Sequence, residues 1–263
     1  MQPYQHIQTT LEDDVFTLTL NREEKRNAIN EQTMDELLDA LKAFSRQKNA
    51  VLAVLKAAGK DFCAGADLEW MRATQQMSEQ ELQQQNMKLQ QVFQLWFDLP
   101  VFTIALVHGN VVGGGIGLVA GSDLVVAQPE TRFCFSEVSL GLIPATIAPF
   151  VMQRTQSRFI RNAMISAAPF NADEALRHHL ADVIADKSLM RDVVQEYMSM
   201  FRKNELNAVA RCKQLVNDLV VNRVHEPMDE YTTKLLAQVR KSDAAASRIE
   251  EFFRKQNAKN ENK

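Results

Sequence analysis

Seven of the nine glycines in this 263-residue chain fall between Val107 and Pro144, three of them consecutive at Gly113, Gly114 and Gly115. An apolar run, Val101 to Val107, leads into the glycines, and GIGLVAG leads out of them with helical character. Strand, glycine turn and helix start together bare backbone N–H groups, because the first donors of a helix have no partner within it. Glycine also lets a ligand approach with no Cβ in the way. The same pattern serves equally as a tight turn that packs a helix on a sheet. Glu137 favours the ligand. It is the lone carboxylate of FCFSEVSLGLIP, a mostly apolar setting where a charge is costly unless it has a task.

The rest of the composition narrows the possibilities. Apolar residues make up 46% of the chain, enough for a sizeable core, and the net charge of −3 offers no basic field to nucleic acid or an anionic membrane. Cys63, Cys134 and Cys212 are scattered, with no disulfide framework and no metal-binding pair. The N-terminal MQPYQHIQTTLEDDV has neither a signal nor a presequence design, and no apolar run is long enough to span a bilayer. A soluble, cytoplasmic protein is the expectation, with residues 1–200 as core and 201–263 as a helical extension.

In chain order, VFTLTL (residues 15–20) alternates like a half-buried strand, and NREEKRNAIN follows as a polar, basic loop. A helix is predicted from Asn30, a good N-cap, with Met34, Leu37, Leu38, Leu41 and Phe44 on its packed face. Residues 51–55 read as a buried strand and AAGKDFCAGADLEWM as the loop after it. Ser78 with Glu81 forms a capping box for a helix that ends before Pro100, with Leu82, Leu89, Val92, Phe93, Trp96 and Leu99 as its stripe. Strands follow at 101–107, 124–127 and 133–135, with a helix over 117–120. Beyond Gly141 there is no glycine, and helices are predicted over 145–154, 158–166, from the Asn171–Glu174 capping box, and over 189–201, 205–222, 228–240 and 243–258.

These motifs in this order resemble the crotonase (enoyl-CoA hydratase/isomerase) superfamily. NREEKRNAIN is similar to its NRP-x-x-x-NAL segment, FCAGADL to its first oxyanion-hole loop, HGNVVGGGIGLVAGSDL to its second, FSEVSLGLIP to its catalytic turn, and SDAAASRIEEFFRKQ to its C-terminal helix. The resemblance implies an α/β fold, a ClpP-like spiral of repeated ββα units with a C-terminal all-helical extension. It also implies a homotrimer or a dimer of trimers.

The resemblance implies acyl-CoA as substrate, with CoA as part of it and no separate cofactor; the acidic balance, the lack of a spanning run and the scattered Cys and His set the expectation of no nucleic-acid or membrane partner and no metal. The backbone N–H groups of Ala66 and Gly114 would hold the thioester oxygen as it becomes an enolate, with Gly113 beside them. CoA would run along Lys25, Arg26, Ala28, Ala64, Asp67 and Leu68, and Phe252 and Lys255 would come from a neighbouring subunit's last helix. Taken alone, Lys25 and Arg26 read as a solvated basic loop. Glu137 is the acid. The position of the second acid of two-glutamate hydratases is Gly117 here, so the reaction divides between hydration and double-bond isomerisation by one carboxylate. A finer resemblance, to bacterial methylglutaconyl-CoA and isohexenylglutaconyl-CoA hydratases, favours hydration of a branched substrate with a second carboxylate. Arg72, Arg154 and Thr146 are candidates to meet that carboxylate, and Trp70 and Met71 either line the acyl pocket or pack.

Other features take bland readings. His178 and His179 sit at a helix end, His108 is a core or turn histidine, Cys63 packs, and Asp123 braces the turn after it. An RNA-binding or catalytically dead member of the fold is the alternative of another class, against which stand the acidic balance and the intact Glu137 and GGG turn.

Overall fold

The computed structural model describes residues 4–46 and 49–261, with side chains described as far as Arg254. The strands are β1 (Ile7–Glu12), β2 (Val15–Leu20), β3 (Leu52–Ala57), β4 (Phe102–Val107), β5 (Asn110–Val112), β6 (Leu124–Ala127), β7 (Arg132–Cys134), β8 (Phe170–Asn171) and β9 (Val183–Ile184). They form a six-stranded sheet in the order β1-β2-β3-β4-β6-β9 and a three-stranded sheet β5-β7-β8. The helices are α1 (Glu31–Ser45), α2 (Leu68–Ala73), α3 (Glu79–Phe97), α4 (Gly114–Ala120), α5 (Ala148–Arg154), α6 (Arg158–Ser166), α7 (Ala172–Arg177), α8 (Met190–Phe201), α9 (Leu206–Val220), α10 (Met228–Arg240) and α11 (Asp243–Glu261).

From β2 onward the large sheet is parallel, which requires a crossover between successive strands. Each crossover also leaves something beside the small sheet. After β4 comes β5, and after β6 comes β7, its parallel partner. The earlier turns contribute single bridges, Ile29 to Ala66 and Cys63 to Val111. The expected spiral of ββα units is therefore present, and its second layer begins as isolated bridges where the site will form.

Both faces of the large sheet are covered, which is why its strands are apolar almost throughout. Ala53, Leu55, Ala105 and Val107 join one core with α1, α3 and α4, while Leu52, Val54, Ile104 and Val126 join another with Met190 and Met198 of α8. Helix α1 starts where Asn30 caps it, its side chain accepting from the Thr33 N–H. Helix α3 starts at the full Ser78–Glu81 capping box and buries Val92, Phe93 and Trp96.

The differences from expectation are local. Strand β1 is an addition, paired antiparallel to β2 through a turn in which Asp13 and Asp14 have φ of 50° and 65°. Two left-handed residues suit a tight hairpin, but Asp-Asp lacks the Asn-Gly or Asp-Gly signature that would reveal it. Leu68 belongs to a helix rather than a loop, because Asp67 caps it by accepting from the Glu69 and Trp70 N–H groups. Helix α4 begins at Gly114, three residues before the predicted start.

Helix α9 is latched to the core by a buried ion pair. Lys213 Nζ donates to Asp123 Oδ2 at 2.6 Å and to the Val101 carbonyl at 3.0 Å. Asp123 also accepts from the Thr103 N–H at 2.8 Å and hydroxyl at 3.0 Å, so it joins β4, β6 and α9 at one point. Burial pulls the Lys213 ammonium below its ordinary pKa, against the pull of Asp123. We expect Asp123→Ala to cost about 3–5 kcal/mol in urea unfolding, since it strands a buried charge, and Lys213→Met to cost clearly less. Equal costs would mean that the pair is not what holds the helix.

Candidate active site

Four chain segments converge beneath α3. The first, between β2 and α1, is shaped by Asn27, buried and left-handed at φ 56°. Its Oδ1 accepts from the Arg22 N–H at 2.8 Å, and its Nδ2 donates to the carbonyls of Ala58 at 2.8 Å and Asp61 at 2.9 Å. Arg22 then reaches across to Asp67 Oδ2 at 2.6 Å and to the Ala28 carbonyl at 3.1 Å. Burial raises the Asp67 carboxyl, but Arg22 and the N–H groups of Trp70 and Glu69 more than offset it, holding it below the ordinary range. The first segment is thereby fixed to the second, which carries Ala66.

The bridge between these segments leaves one donor free. Ile29 N–H donates to the Gly65 carbonyl at 2.8 Å and Asp67 N–H to the Ile29 carbonyl at 2.9 Å. A parallel bridge of this kind skips the N–H of the residue at its centre, and among the described residues the Ala66 N–H has no acceptor. The third segment supplies a second free donor. Gly114 is the first residue of α4, so its N–H has no partner within the helix. Gly113 before it stands at φ 48°, ψ −117°, open only to glycine without strain. A Cβ there would come 3.2 Å from Glu137 Oε1.

Glu137, on the fourth segment, opens a short 3-10 turn over Glu137–Leu140. Its Oε2 is buried with no hydrogen-bond partner among the described residues. Burial pushes its carboxyl above the ordinary range, against a hydrogen bond from its own N–H. Ala66, Gly113, Gly114 and Glu137 all line one cavity of about 340 Å³. The remaining walls are largely apolar (Ile29, Met34, Leu68, Met71, Leu89, Val112 and Ile143), with Trp70 and the hydroxyl-bearing Ser136, Ser139 and Thr146.

A second, shallower pocket of about 250 Å³ adjoins it and shares Ala64, Ala66 and Leu68. Lys25, Arg26, Ala28 and Asp67 line it, so these four lie beside the cavity with the residues they share it with. Lys25 Nζ pairs with Glu69 at 2.8 Å. The Asp67 carboxylate is committed to Arg22 and to the α2 cap, its N–H to the Ile29 carbonyl, and its carbonyl accepts from the Met71 N–H at 2.9 Å. Phe252 lies exposed on α11 and lines neither pocket of its own chain, and the Lys255 side chain lies outside the described residues.

Of the three residues expected near a distal carboxylate, Thr146 alone is in the lining. Arg72 is exposed and outside it. Arg154 is buried elsewhere, ion-paired to Asp182 and donating to the Ser122 carbonyl at 2.6 Å and the Leu180 carbonyl at 3.0 Å. Trp70 and Met71 do line the cavity. His178 stacks on Phe159 with ring centres 4.4 Å apart, and His108 bonds the Gly59 carbonyl at 3.0 Å. Cys63 is fully buried and its thiol is pushed up to about 12, which makes it inert. No cluster of three metal-ligating side chains occurs among the described residues. The roles of Arg22 and Asn27 were hidden, because a basic loop at the level of sequence gives no sign of which polar side chains turn inward.

Gly117 faces packed side chains. A Cβ built on it would stand 2.6 Å from Ile147 Cγ2 and 2.9 Å from Phe93 Cζ, both on fully or nearly buried residues. The space that a second carboxylate would need is occupied by the core. Gly117→Glu should therefore add no activity and should destabilise the fold by about 1–3 kcal/mol or more in urea unfolding. A variant of unchanged stability would show that this space is open.

Glu137 makes a second prediction, in pH. A carboxyl whose pKa is raised on folding stabilises the native state in acid, and that contribution is lost as pH rises through its folded value. Glu137→Gln keeps the shape without the charge. Its Tm should match the wild type below the ordinary carboxyl range and exceed it above neutrality. A gap that is independent of pH would exclude a buried, titrating Glu137.

Residues 10–263 match the enoyl-CoA hydratase/isomerase family. A crystal structure of an enoyl-CoA hydratase from Shewanella pealeana superposes with a TM-score of 0.90, at 31% identity, over 97% of this chain and 95% of that one. The bacillaene synthase dehydratase PksH of Bacillus subtilis is 28% identical over 82% of this chain and 82% of its own length. The 1,2-epoxyphenylacetyl-CoA isomerase of Escherichia coli is 25% identical over 85% of this chain and 86% of its own. Sequence match and shared α/β spiral agree, and the chain belongs to the enoyl-CoA hydratase/isomerase family.

Proposed function

We propose that the protein is a hydratase that adds water across the 2,3-double bond of an acyl-CoA thioester. The observation that carries this reading is the meeting of two unused backbone donors and one buried, unpartnered carboxylate on a single apolar cavity. The water oxygen bonds to C3 while the double-bond electrons move to the thioester oxygen. The N–H groups of Ala66 and Gly114 hold the resulting enolate, and loss of one such donor typically costs 10²–10³ in turnover. Glu137 accepts the proton that the water gives up and returns it to C2 as the enolate collapses. A pKa raised toward neutrality suits a group that must both take and give a proton.

The CoA arm lies in the shallower pocket beside Lys25, Arg26 and the main chain of residues 64–68. CoA is part of the substrate, and no separate cofactor enters the reading. Exposed apolar side chains on the last three helices, Leu236, Phe252 and Phe253 among them, favour burial against other copies in a trimer or dimer of trimers. In such an assembly Phe252 would reach a neighbour's CoA pocket.

The second carboxylate of a glutaconyl-type substrate would meet hydroxyl-bearing side chains, Thr146 among them, but no Lys, Arg or His in the described lining, where burying its charge is costly. We therefore place a neutral enoyl group there. Isomerisation is the second reading, favoured by the filled space at Gly117, since one carboxylate is enough to move a proton from C2 to C4. Glu137→Gln should lower turnover by about 10²–10⁴ with CoA-ester affinity nearly unchanged. In labelled water the hydratase places the label on C3 of a 2-enoyl-CoA. Turnover of a 3-enoyl-CoA with no label incorporated from any 2-enoyl-CoA would overturn hydration in favour of isomerisation.

A further inference from the structure

Addition of water at C3 needs the oxygen aimed as well as deprotonated, and Glu137 supplies only the base. The described lining offers no second carboxylate, and the place of one at Gly117 is filled. Three hydroxyls remain in that lining, on Ser136, Ser139 and Thr146. The Ser139 hydroxyl is spent on the Ser136 carbonyl at 2.6 Å. Those of Ser136 and Thr146 have no partner among the described residues, yet neither is sealed, for the buried side-chain atoms without a partner belong to Trp70, Gln85 and Glu137. Both hydroxyls are therefore open to a water molecule.

Thr146 is singled out by its neighbour. Ile147, at 1% exposure, puts its Cγ2 2.6 Å from the place of a Gly117 Cβ, and consecutive Cα atoms lie only about 3.8 Å apart. Ile147 belongs to the core and Thr146 to the cavity lining, so the segment that shuts out a second carboxylate presents a hydroxyl to the cavity. The backbone is held on both sides of Thr146. The Ala145 N–H donates to the Ile143 carbonyl at 2.8 Å and the Ala148 N–H to the Pro144 carbonyl at 2.9 Å.

We propose that the Thr146 hydroxyl holds the attacking water together with Glu137, in the place of a second acid. The inference rests on the hydration reading and adds a residue to it. The Thr146 oxygen accepts a hydrogen bond from one water hydrogen while Glu137 takes the other as a proton. The water oxygen bonds to C3, the proton on Glu137 passes to C2, and the remaining hydrogen stays on the new C3 hydroxyl. Thr146 neither gains nor loses a proton.

The test follows two reactions. Hydration of a 2-enoyl-CoA needs the held water, whereas exchange of the C2 hydrogens of a saturated acyl-CoA in heavy water needs only Glu137 and the two backbone donors. Thr146→Val keeps the branched shape without the hydroxyl. It should slow hydration about 10- to 100-fold while C2 exchange stays within about two-fold, and Thr146→Ser should retain most of the hydration. Unchanged hydration in Thr146→Val, hydration and exchange falling together, or a Thr146→Ser variant as slow as Thr146→Val overturns the proposal. A greater loss of hydration in Ser136→Ala than in Thr146→Val also overturns it, giving the water to Ser136. If the wild type exchanges C2 hydrogens but hydrates no 2-enoyl-CoA, the hydration reading itself fails and the proposal falls with it.

Discussion

One side-chain amide, that of Asn27, ties the loop after β2 to the loop after β3. Its side chain is buried and makes three hydrogen bonds, which are worth more there than at the surface and would be expensive to lose. They hold a backbone with consecutive left-handed residues, Arg26 and Asn27, which only a well-paired setting would keep. Once that loop is fixed, Arg22 is placed to reach Asp67, Asp67 caps α2, and Ile29 can bridge to Ala66. The free N–H of Ala66 and the start of α2 both follow from this sequence of contacts. Asn27 and Arg22 line neither pocket, yet they matter to the site through what they hold in place.

The placement of Glu137 follows a different logic. It sits on a short turn whose neighbours are apolar, and nothing among the described residues satisfies its second oxygen. Stability would be better served by an amide or an apolar side chain, so this carboxylate is an instance of local fitness given up at a working site. Gly117 shows the opposite choice. Phe93 and Ile147 have been allowed to fill the region, making the packing continuous and leaving proton handling to one group.

Much of this was legible beforehand, and the failures have identifiable physical causes. Helix α1 and its buried face were readable because Asn30 and five apolar positions at helical spacing point the same way. Helix α3 was readable from Ser78 and Glu81. The motifs also brought Ala66, Gly114 and Glu137 within reach before any coordinate. Strand β1 was not readable, because on an edge strand only Ile7 is buried and its Asp-Asp turn carries no glycine. Arg154 shows a limit of another kind. An arginine after the Glu137 turn could equally have faced the cavity or the opposite side, and only its partners Asp182, Ser122 and Leu180 decide. Asp67 looked like a loop residue facing a ligand, yet its carboxylate is used up in capping.

The bridges between successive turns of the spiral carry a kinetic consequence. Ile29 meets Ala66, and Cys63 meets Val111, only after the chain has wound a full turn between them. Pairings of that kind close long loops before they return any contact energy, so they form slowly compared with a hairpin such as β1–β2. The donors at Ala66 and Gly114 belong to different turns, and Glu137 to a later one still. No fragment that ends before Glu137, however well folded, would assemble the three together. Recovery of function during refolding is accordingly bound to the slowest long-range docking step, and it trails the return of helical signal.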